Sequence, residues 1–214
     1  FRVLEKESSP YENPNTLGCI VVSEDSFNYL KFAYSKLNLF RIRLGIGNQF
    51  VFSETKKKQI AFMPRKLPED INQIFQLISK RPALNEWSFV AIDDMAEAEV
   101  AKILKESALF LSFNDKEGFG LPPVEAMACG CYVIGYTGEG GKEYFNTEYS
   151  SIIEHGNILA YVKEIERIVE EYNVDSAKIL QKGLQASIRV KNNYNMDNER
   201  LDILKAWATL KWNR

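Results

Sequence analysis

The sequence predicts an α/β fold in which a doubly wound, mostly parallel sheet has helices on both faces. Apolar segments of strand length alternate with helical segments along most of the chain. The most regular unit, residues 108–137, runs strand, glycine turn, helix, strand. The 214 residues are 45% hydrophobic and 26% charged, which is typical of a globular domain with a sizeable core. Right-handed crossovers between such strands give a Rossmann-like sheet.

Bulk charge and cysteine content exclude several classes of protein. The net charge is −2, with 27 basic and 29 acidic residues, so we predict no nucleic-acid partner. No apolar run reaches the ~18 residues of a membrane span, and the charged start is not a signal peptide. Cys19, Cys129 and Cys131 show no metal-type spacing and are predicted to be buried free thiols. These features favour a cytoplasmic protein; a peripheral position at a membrane stays open.

The first part of the chain predicts a short strand–helix–strand unit. Residues 1–16 read as an irregular lead-in, followed by a strand over 17–23 and a helix over 26–37 capped by Ser26. A second strand is predicted over 39–46. The polar run 53–58 is the predicted boundary, and its lysines Lys56–Lys58 read as a solvated loop. We therefore divide the chain into residues 1–52 and a main domain, 53–214.

Within the main domain, strands and helices alternate regularly. Five strands are predicted, over residues 59–63, 88–92, 108–113, 131–136 and about 151–153. Helices are predicted over residues 69–80, 95–107, 157–172, 175–193 and 197–212, together with a short one after the glycine turn.

The glycine turn, residues Gly118–Gly120, is the centre of the predicted site. It follows an apolar strand, and Pro122 and Pro123 then favour the first turn of a short helix that Gly130 ends. The unpaired N–H groups at a helix start attract anionic ligands, and ligands of doubly wound sheets bind beyond the carboxyl ends of the strands. Taken alone, the glycines are equally compatible with a tight turn that binds no ligand.

Two carboxylates frame the turn. Glu125 lies eight positions after Glu117 and is predicted on the first turn of the short helix. A carboxylate repels phosphate but accepts hydrogen bonds from two neighbouring hydroxyls, as ribose presents them. The alternative is that Glu125 only complements the helix dipole. Glu117 precedes the turn and is predicted to face the reactive end of the ligand.

Other polar residues give weaker signals. Arg65 and Lys66 follow the strand over 59–63 at its carboxyl end and could neutralise a diphosphate, although adjacent basic residues in a loop are usually only solvated. His155 reads as a surface or capping residue. Asp93 and Asp94 have no histidine partner, so we assign no metal site.

The segment EGFGLPPVEAMACG resembles the signature of the retaining glycosyltransferases of the GT-B architecture, the glycosyl transferases group 1. Its mark is a Glu, seven residues and a second Glu, with Gly-Phe-Gly-Leu-Pro between them. The flanking segments KILKESALFLSF and YVIGYTGEGGKEYF are also similar to the family, and the resemblance covers residues 18–190. It implies that this chain is the C-terminal half of a GT-B architecture.

The resemblance implies a nucleotide-sugar donor and assigns the site residues. Glu125 would bind the ribose diol, and Glu117 would lie near the anomeric carbon. Arg65 matches the arginine that stabilises the departing diphosphate, and Ile92 matches the position beside the base. The backbone N–H groups that would hold the sugar hydroxyls and the diphosphate belong to Gly118, Phe119, Gly120 and Leu121.

This sequence departs from the family pattern in two places. The family has a glycine before the arginine and a Lys-Gly pair five residues after it. Here those positions hold Pro64, Asp70 and Ile71. We predict that Lys66 supplies the missing cation. The family also has a full N-terminal acceptor domain, whereas about fifty residues precede the main domain here. The resemblance implies that residues 1–52 are a remnant of that domain, with its last strand, helix and linker.

The sequence therefore predicts the donor-binding part of a retaining, metal-independent hexosyltransferase. It would use a nucleotide-sugar as co-substrate and no other cofactor. Its partners would be an acceptor of unknown class (glycan, lipid or small molecule) and an N-terminal domain outside this fragment. One alternative is a nucleotide-sugar-binding module without transferase activity. A sugar-nucleotide epimerase has a similar fold, but the signature between Glu117 and Glu125 argues against it.

Overall fold

A computed structural model of the protein describes residues 9–212, which form two parallel sheets. The first pairs β1 (Cys19–Val21) with β2 (Leu39–Arg41), and α1 (Glu24–Ala33) connects them. The second contains β3 (Lys57–Phe62), β4 (Ser88–Ala91), β5 (Ser107–Asn114), β6 (Tyr132–Thr137) and β7 (Ser150–Ile152). The remaining helices are α2 (Pro68–Ile78), α3 (Glu97–Glu106), α4 (Leu121–Ala128), α5 (Ile158–Val174), α6 (Ser176–Asn193) and α7 (Met196–Trp212). Residues 1–8 of the predicted lead-in lie outside the described residues.

The five-stranded sheet confirms the predicted doubly wound fold. Its strand order is β4-β3-β5-β6-β7, and every pair is parallel. The chain passes from β3 to β4 in one direction and then returns to the other side of β3 with β5. The carboxyl ends of β3 and β5 therefore meet where the winding direction reverses, which is where doubly wound folds bind ligands.

Apolar side chains cover both faces of this sheet. All eight residues of β5 are buried, as expected for a central parallel strand. Phe110 packs in one core with residues of α3, α4 and α6, while Leu109 and Leu111 pack in a second core with residues of α2 and α5. The alternation follows from the two-residue period of a strand.

The helix boundaries differ from the prediction where a side chain decides them. Ser23, not Ser26, caps α1, because the Ser23 Oγ accepts a hydrogen bond from the Ser26 backbone N–H at 3.2 Å. The end of α4 agrees with the prediction. Gly130 follows its last turn with a φ of 86°, as expected for a helix stop.

The interpretation of Lys56–Lys58 as a solvated loop was wrong. Lys57 and Lys58 begin β3 and form ion pairs with glutamates of neighbouring segments. The Lys56 Nζ donates hydrogen bonds to the carbonyl oxygens of Leu104 (3.1 Å) and Cys129 (2.8 Å). Lys56 thus satisfies carbonyls at the C-terminal ends of α3 and α4.

The prediction for the cysteines was right for two of three. Cys129 and Cys131 are fully buried free thiols, whereas Cys19 in β1 is only partly buried. β1 lies in the small sheet, so less of the protein covers it.

Residues of and just after β2 bind the rest of the fold through charged contacts. Arg41 in β2 forms an ion pair with Glu143 at 2.7 Å. The Arg43 guanidinium donates two hydrogen bonds to the Asp202 carboxylate of α7, of 2.7 and 2.8 Å. The last helix therefore holds the first segment against the rest of the fold. The division of the chain at residue 53 stays a prediction.

Candidate functional site

A cleft of about 550 Å³ opens at the carboxyl ends of β3 and β5. One wall, here called the turn wall, consists of residues 117–125, which follow β5. The other, the cation wall, consists of Arg65 and Lys66, which follow β3. The cleft therefore lies at the reversal of the sheet winding, as the sequence predicted for a ligand site.

The glycine turn brings backbone N–H groups to the cleft. Gly120 precedes α4 with a φ of 85°, a conformation that favours glycine, and a Cβ there would overlap the Asn114 amide. Within residues 9–212, no protein group accepts a hydrogen bond from the N–H of any residue from 118 to 121. These donors and the start of α4 are suited to an anionic ligand.

Glu125 lies on the second turn of α4, not the first as predicted, and its side chain lines the cleft. Burial, with a smaller effect of the Glu97 carboxylate, raises its pKa from 4.5 to about 7. A carboxylate that is costly to ionise without a partner gains from ligand hydroxyls that donate to it.

Glu117 forms an ion pair with Lys66 across the cleft. The Glu117 side chain is 21% exposed and the Lys66 side chain 46%. The structure thus joins the predicted catalytic carboxylate to the predicted substitute cation. Arg65 lies beside Lys66 on the same wall and is exposed.

Asp70 occupies the position where the family pattern has a lysine. Its carboxylate accepts a hydrogen bond from the Tyr136 hydroxyl at 2.9 Å, and Asp70 does not belong to the cleft walls. Asp70 therefore supplies no cation to the cleft, and the role of Lys66 as the second cation stays a prediction.

The structure does not bring Ile92 to the cleft. Ile92 follows β4, is 3% exposed and packs in the core with α3 and α4 residues. Its predicted position beside a base stays a prediction. The other predicted site residues all line the cleft, namely Arg65, Lys66, Glu117, Gly118, Phe119, Gly120, Leu121 and Glu125.

Val22 and Leu44 complete the cleft from the first segment of the chain. No site residue was predicted in that segment. Val22 follows β1 and Leu44 lies just beyond β2, so the same rule about carboxyl ends of parallel strands could have identified them. Asn114, the last residue of β5, also lines the cleft and was missed.

The remaining sequence signals lie outside this site. His155 is a surface residue whose ring contacts Tyr136, with centroids 5.0 Å apart. Among residues 9–212, no group of three or more His, Cys, Asp or Glu side chains is placed to hold a metal ion. None of the helices in this part of the chain is long and apolar enough to cross a bilayer.

A family model described as glycosyl transferases group 1 matches residues 69–186 of the chain. A curated relative, the alpha-1,6-glucosyltransferase of Actinobacillus pleuropneumoniae serotype 7, is 32% identical over 138 residues. That alignment covers 61% of this chain and 41% of the relative, so the chain spans less than half of that protein.

Solved glycosyltransferase structures have the same fold. TarM of S. aureus, in a complex that contains UDP, matches with a TM-score of 0.71 and 18% identity over 91% of this chain and 43% of TarM. Sucrose-phosphate synthase of Thermosynechococcus elongatus matches with a TM-score of 0.70 and 16% identity over 91% of this chain and 58% of the synthase. HepE of Anabaena, in complex with UDP and glucose, matches with a TM-score of 0.66 and 14% identity over 89% of this chain and 62% of HepE. The architecture is thus that of GT-B glycosyltransferases.

Proposed function

Because the chain belongs to the glycosyl transferases group 1 family, we propose that its cleft binds a nucleotide-sugar and that it is the donor-binding part of a retaining hexosyltransferase. One observation carries the proposal: two carboxylates, two cations and the free N–H groups of the glycine turn all line one cleft. A nucleotide-sugar has hydroxyl groups that can donate to the carboxylates, and a diphosphate that can bind the cations and the N–H groups.

We place the donor by pairing its ribose, diphosphate and sugar with the groups of the cleft that would bind them. The ribose diol donates to Glu125, whose partly buried carboxylate is costly to ionise without a partner. The diphosphate lies between the start of α4 and the cation wall, where the helix dipole and two positive side chains favour negative charge. The sugar then reaches Glu117.

The proposed reaction moves the sugar from phosphate to a hydroxyl. The bond between the anomeric carbon and the diphosphate oxygen breaks, and its electron pair stays on that oxygen. The acceptor hydroxyl oxygen bonds to the anomeric carbon on the same face, and its proton passes to the leaving phosphate. Arg65 and Lys66 stabilise the charge on the diphosphate, and Glu117 favours the positive charge that develops on the sugar ring. The cation wall supplies the charge that a metal ion would otherwise provide, so we propose metal-independent transfer.

The relatives suggest the donor to test first. The curated relative is a glucosyltransferase, and HepE was solved with UDP and glucose. We therefore propose UDP-glucose as the first candidate for this chain. The acceptor class, a role in polysaccharide biosynthesis and the cytoplasmic location predicted from the sequence all stay predictions.

We propose that this chain binds the donor but does not transfer the sugar by itself. Transfer needs an acceptor held in line with the anomeric carbon, and such positioning contributes ~7–11 kcal/mol to a typical reaction. Besides Val22 and Leu44, the cleft walls come from residues 63–125, and we assign these residues to donor binding, with none assigned to the acceptor. An N-terminal domain of the kind found in the family would supply it.

The experiment has two steps. Thermal shift and calorimetry of the 214-residue chain with UDP-, GDP-, ADP- and dTDP-glucose should identify one base, with a Kd on the order of 0.1–1 mM. Incubation of that donor with a panel of acceptors should then give no product. Glu125→Ala serves as the matched control for specific binding.

Each outcome decides one part of the proposal. Failure to bind any donor or nucleoside diphosphate would contradict a nucleotide-sugar site. Turnover at ordinary enzyme rates would show that the chain needs no further domain for transfer.

A further inference from the structure

We propose that Tyr144 is a positioning residue, which together with Gly140 holds the glycine turn so that its N–H groups face the donor. This inference rests on the proposed function. It concerns the loop between β6 and β7, in which no site residue was predicted from the sequence.

The hydroxyl of Tyr144 lies directly behind the turn. It donates to the carbonyl oxygens of Phe119 (3.0 Å) and Gly120 (2.8 Å), and it accepts a hydrogen bond from the Asn114 Nδ2 at 3.3 Å. Tyr144 is only 2% exposed. Its single hydroxyl hydrogen is therefore shared between two consecutive carbonyl groups of the turn.

Peptide geometry converts these two contacts into a direction for the N–H groups. In a planar trans peptide, the C=O and the N–H point in opposite directions. The carbonyl of Phe119 shares a peptide plane with the N–H of Gly120, and the carbonyl of Gly120 shares one with the N–H of Leu121. Because both carbonyls face Tyr144, both N–H groups point away from it, and Gly120 and Leu121 line the cleft.

Gly140 supports the same turn from the same loop. Its N–H donates to the Glu117 carbonyl at 3.1 Å, and a Cβ on Gly140 would overlap the carbonyl of Gly118. The close approach explains why a glycine is needed at this position. The loop thus contacts the backbone from residue 117 to residue 120.

The surroundings of Tyr144 keep its hydroxyl in place and neutral. Its ring packs against Phe119 at 5.3 Å and Phe145 at 5.5 Å between centroids. Burial, with a smaller effect of Glu117, raises the pKa of Tyr144 well above its ordinary value. The group therefore stays a hydrogen-bond donor throughout the physiological pH range.

The test compares a ligand that has a diphosphate with one that lacks it. UDP and uridine, or the pair with the base that the donor panel selects, are titrated into wild type and Tyr144→Phe. The variant keeps the ring and loses the hydroxyl. We expect UDP to bind about tenfold more weakly and uridine to bind within about twofold of wild type, because Glu125 is unchanged.

Tyr161→Phe is the matched control. Tyr161 is fully buried, and its hydroxyl also donates to two backbone carbonyls, those of Ser112 and Ile134, both at 3.0 Å. It lies in the other core, with α5 residues. This variant should lose thermal stability while the ratio of UDP affinity to uridine affinity stays at the wild-type value.

A second variant covers the case in which Tyr144→Phe does not fold. Gly140→Ala displaces the turn without removing a buried hydroxyl, and it should show the same selective loss of UDP affinity. The inference is overturned if wild type prefers UDP and the folded variant keeps that preference, or if UDP and uridine lose affinity equally. Wild type that binds neither ligand nor any panel donor would contradict the proposed function as well.

Discussion

The two walls of the cleft differ in burial and in what holds them. On the turn wall, Phe119 and Gly120 are buried, and the loop between β6 and β7 supports their backbone. On the cation wall, Arg65 and Lys66 are exposed, and the contact that Lys66 makes is an ion pair across the cleft. The turn wall is therefore preorganised, while the cation wall has side chains that can move to a ligand. We expect the turn wall to control affinity and stability strongly and the cation wall to act mainly on the diphosphate.

The largest expected effect is on the free energy of unfolding, and it comes from Glu125 on the turn wall. The pKa of Glu125 is about 7 in the folded protein instead of 4.5, so the folded state keeps a proton that the unfolded state releases between these pH values. This group's stabilising contribution is complete below about pH 4.5 and is lost as the pH rises to about 7, roughly 3 kcal/mol in total. Glu125→Gln should therefore be more stable than wild type by up to that amount at pH 8 and of similar stability below pH 4.5.

Urea unfolding at both pH values measures this difference. Arg65→Ala is the control from the cation wall, and its stability should stay within about 0.5 kcal/mol of wild type. A Glu125→Gln curve that follows wild type at both pH values would show that Glu125 is not protonated in the fold.

The next largest effect should be on nucleoside affinity. Glu125→Ala removes the acceptor for the ribose diol, and a charged acceptor contributes about 1.5–3 kcal/mol. Nucleoside and nucleoside diphosphate should both bind about ten- to a hundredfold more weakly. Calorimetry with both ligands tests this, and unchanged affinity would remove Glu125 from the donor site.

Arg65→Ala should have a smaller and selective effect. Its proposed partner is phosphate, so diphosphate binding should weaken about tenfold while nucleoside binding stays the same. Lys116→Ala is a suitable control, because Lys116 is an exposed cation in the β5–α4 loop and does not line the main cleft. Equal losses for the two ligands would mean that Arg65 acts on the fold.

The smallest effect concerns the ion pair across the cleft. Glu117 binds Lys66, the proposed second cation for the diphosphate. Glu117→Gln should free Lys66 and strengthen diphosphate binding a few-fold, since half-exposed ion pairs contribute about 0–1 kcal/mol. Lys66→Ala should weaken binding by a similar factor. If Glu117→Gln binds the diphosphate less tightly than wild type, the two groups do not compete in this way.

Much of this protein is determined by the sequence alone. Periodic apolar segments and the glycine and proline positions from Gly118 to Gly130 predicted the sheet, the turn and α4, because these signals act on the backbone within a few residues. The carboxyl-end rule also placed Arg65 and Lys66 on the same cleft as Glu117.

Only the tertiary structure decided which distant groups meet. The contact of Tyr144 with the glycine turn, the completion of the cleft by Val22 and Leu44, and the capping of two helices by Lys56 all join residues far apart in the chain. Neither periodicity nor local propensity carries information about such contacts, which depend on how loops and segments pack once the sheet has formed. For the same reason the raised pKa of Glu125 could not be read from its spacing to Glu117: burial causes it, and burial is a property of the fold.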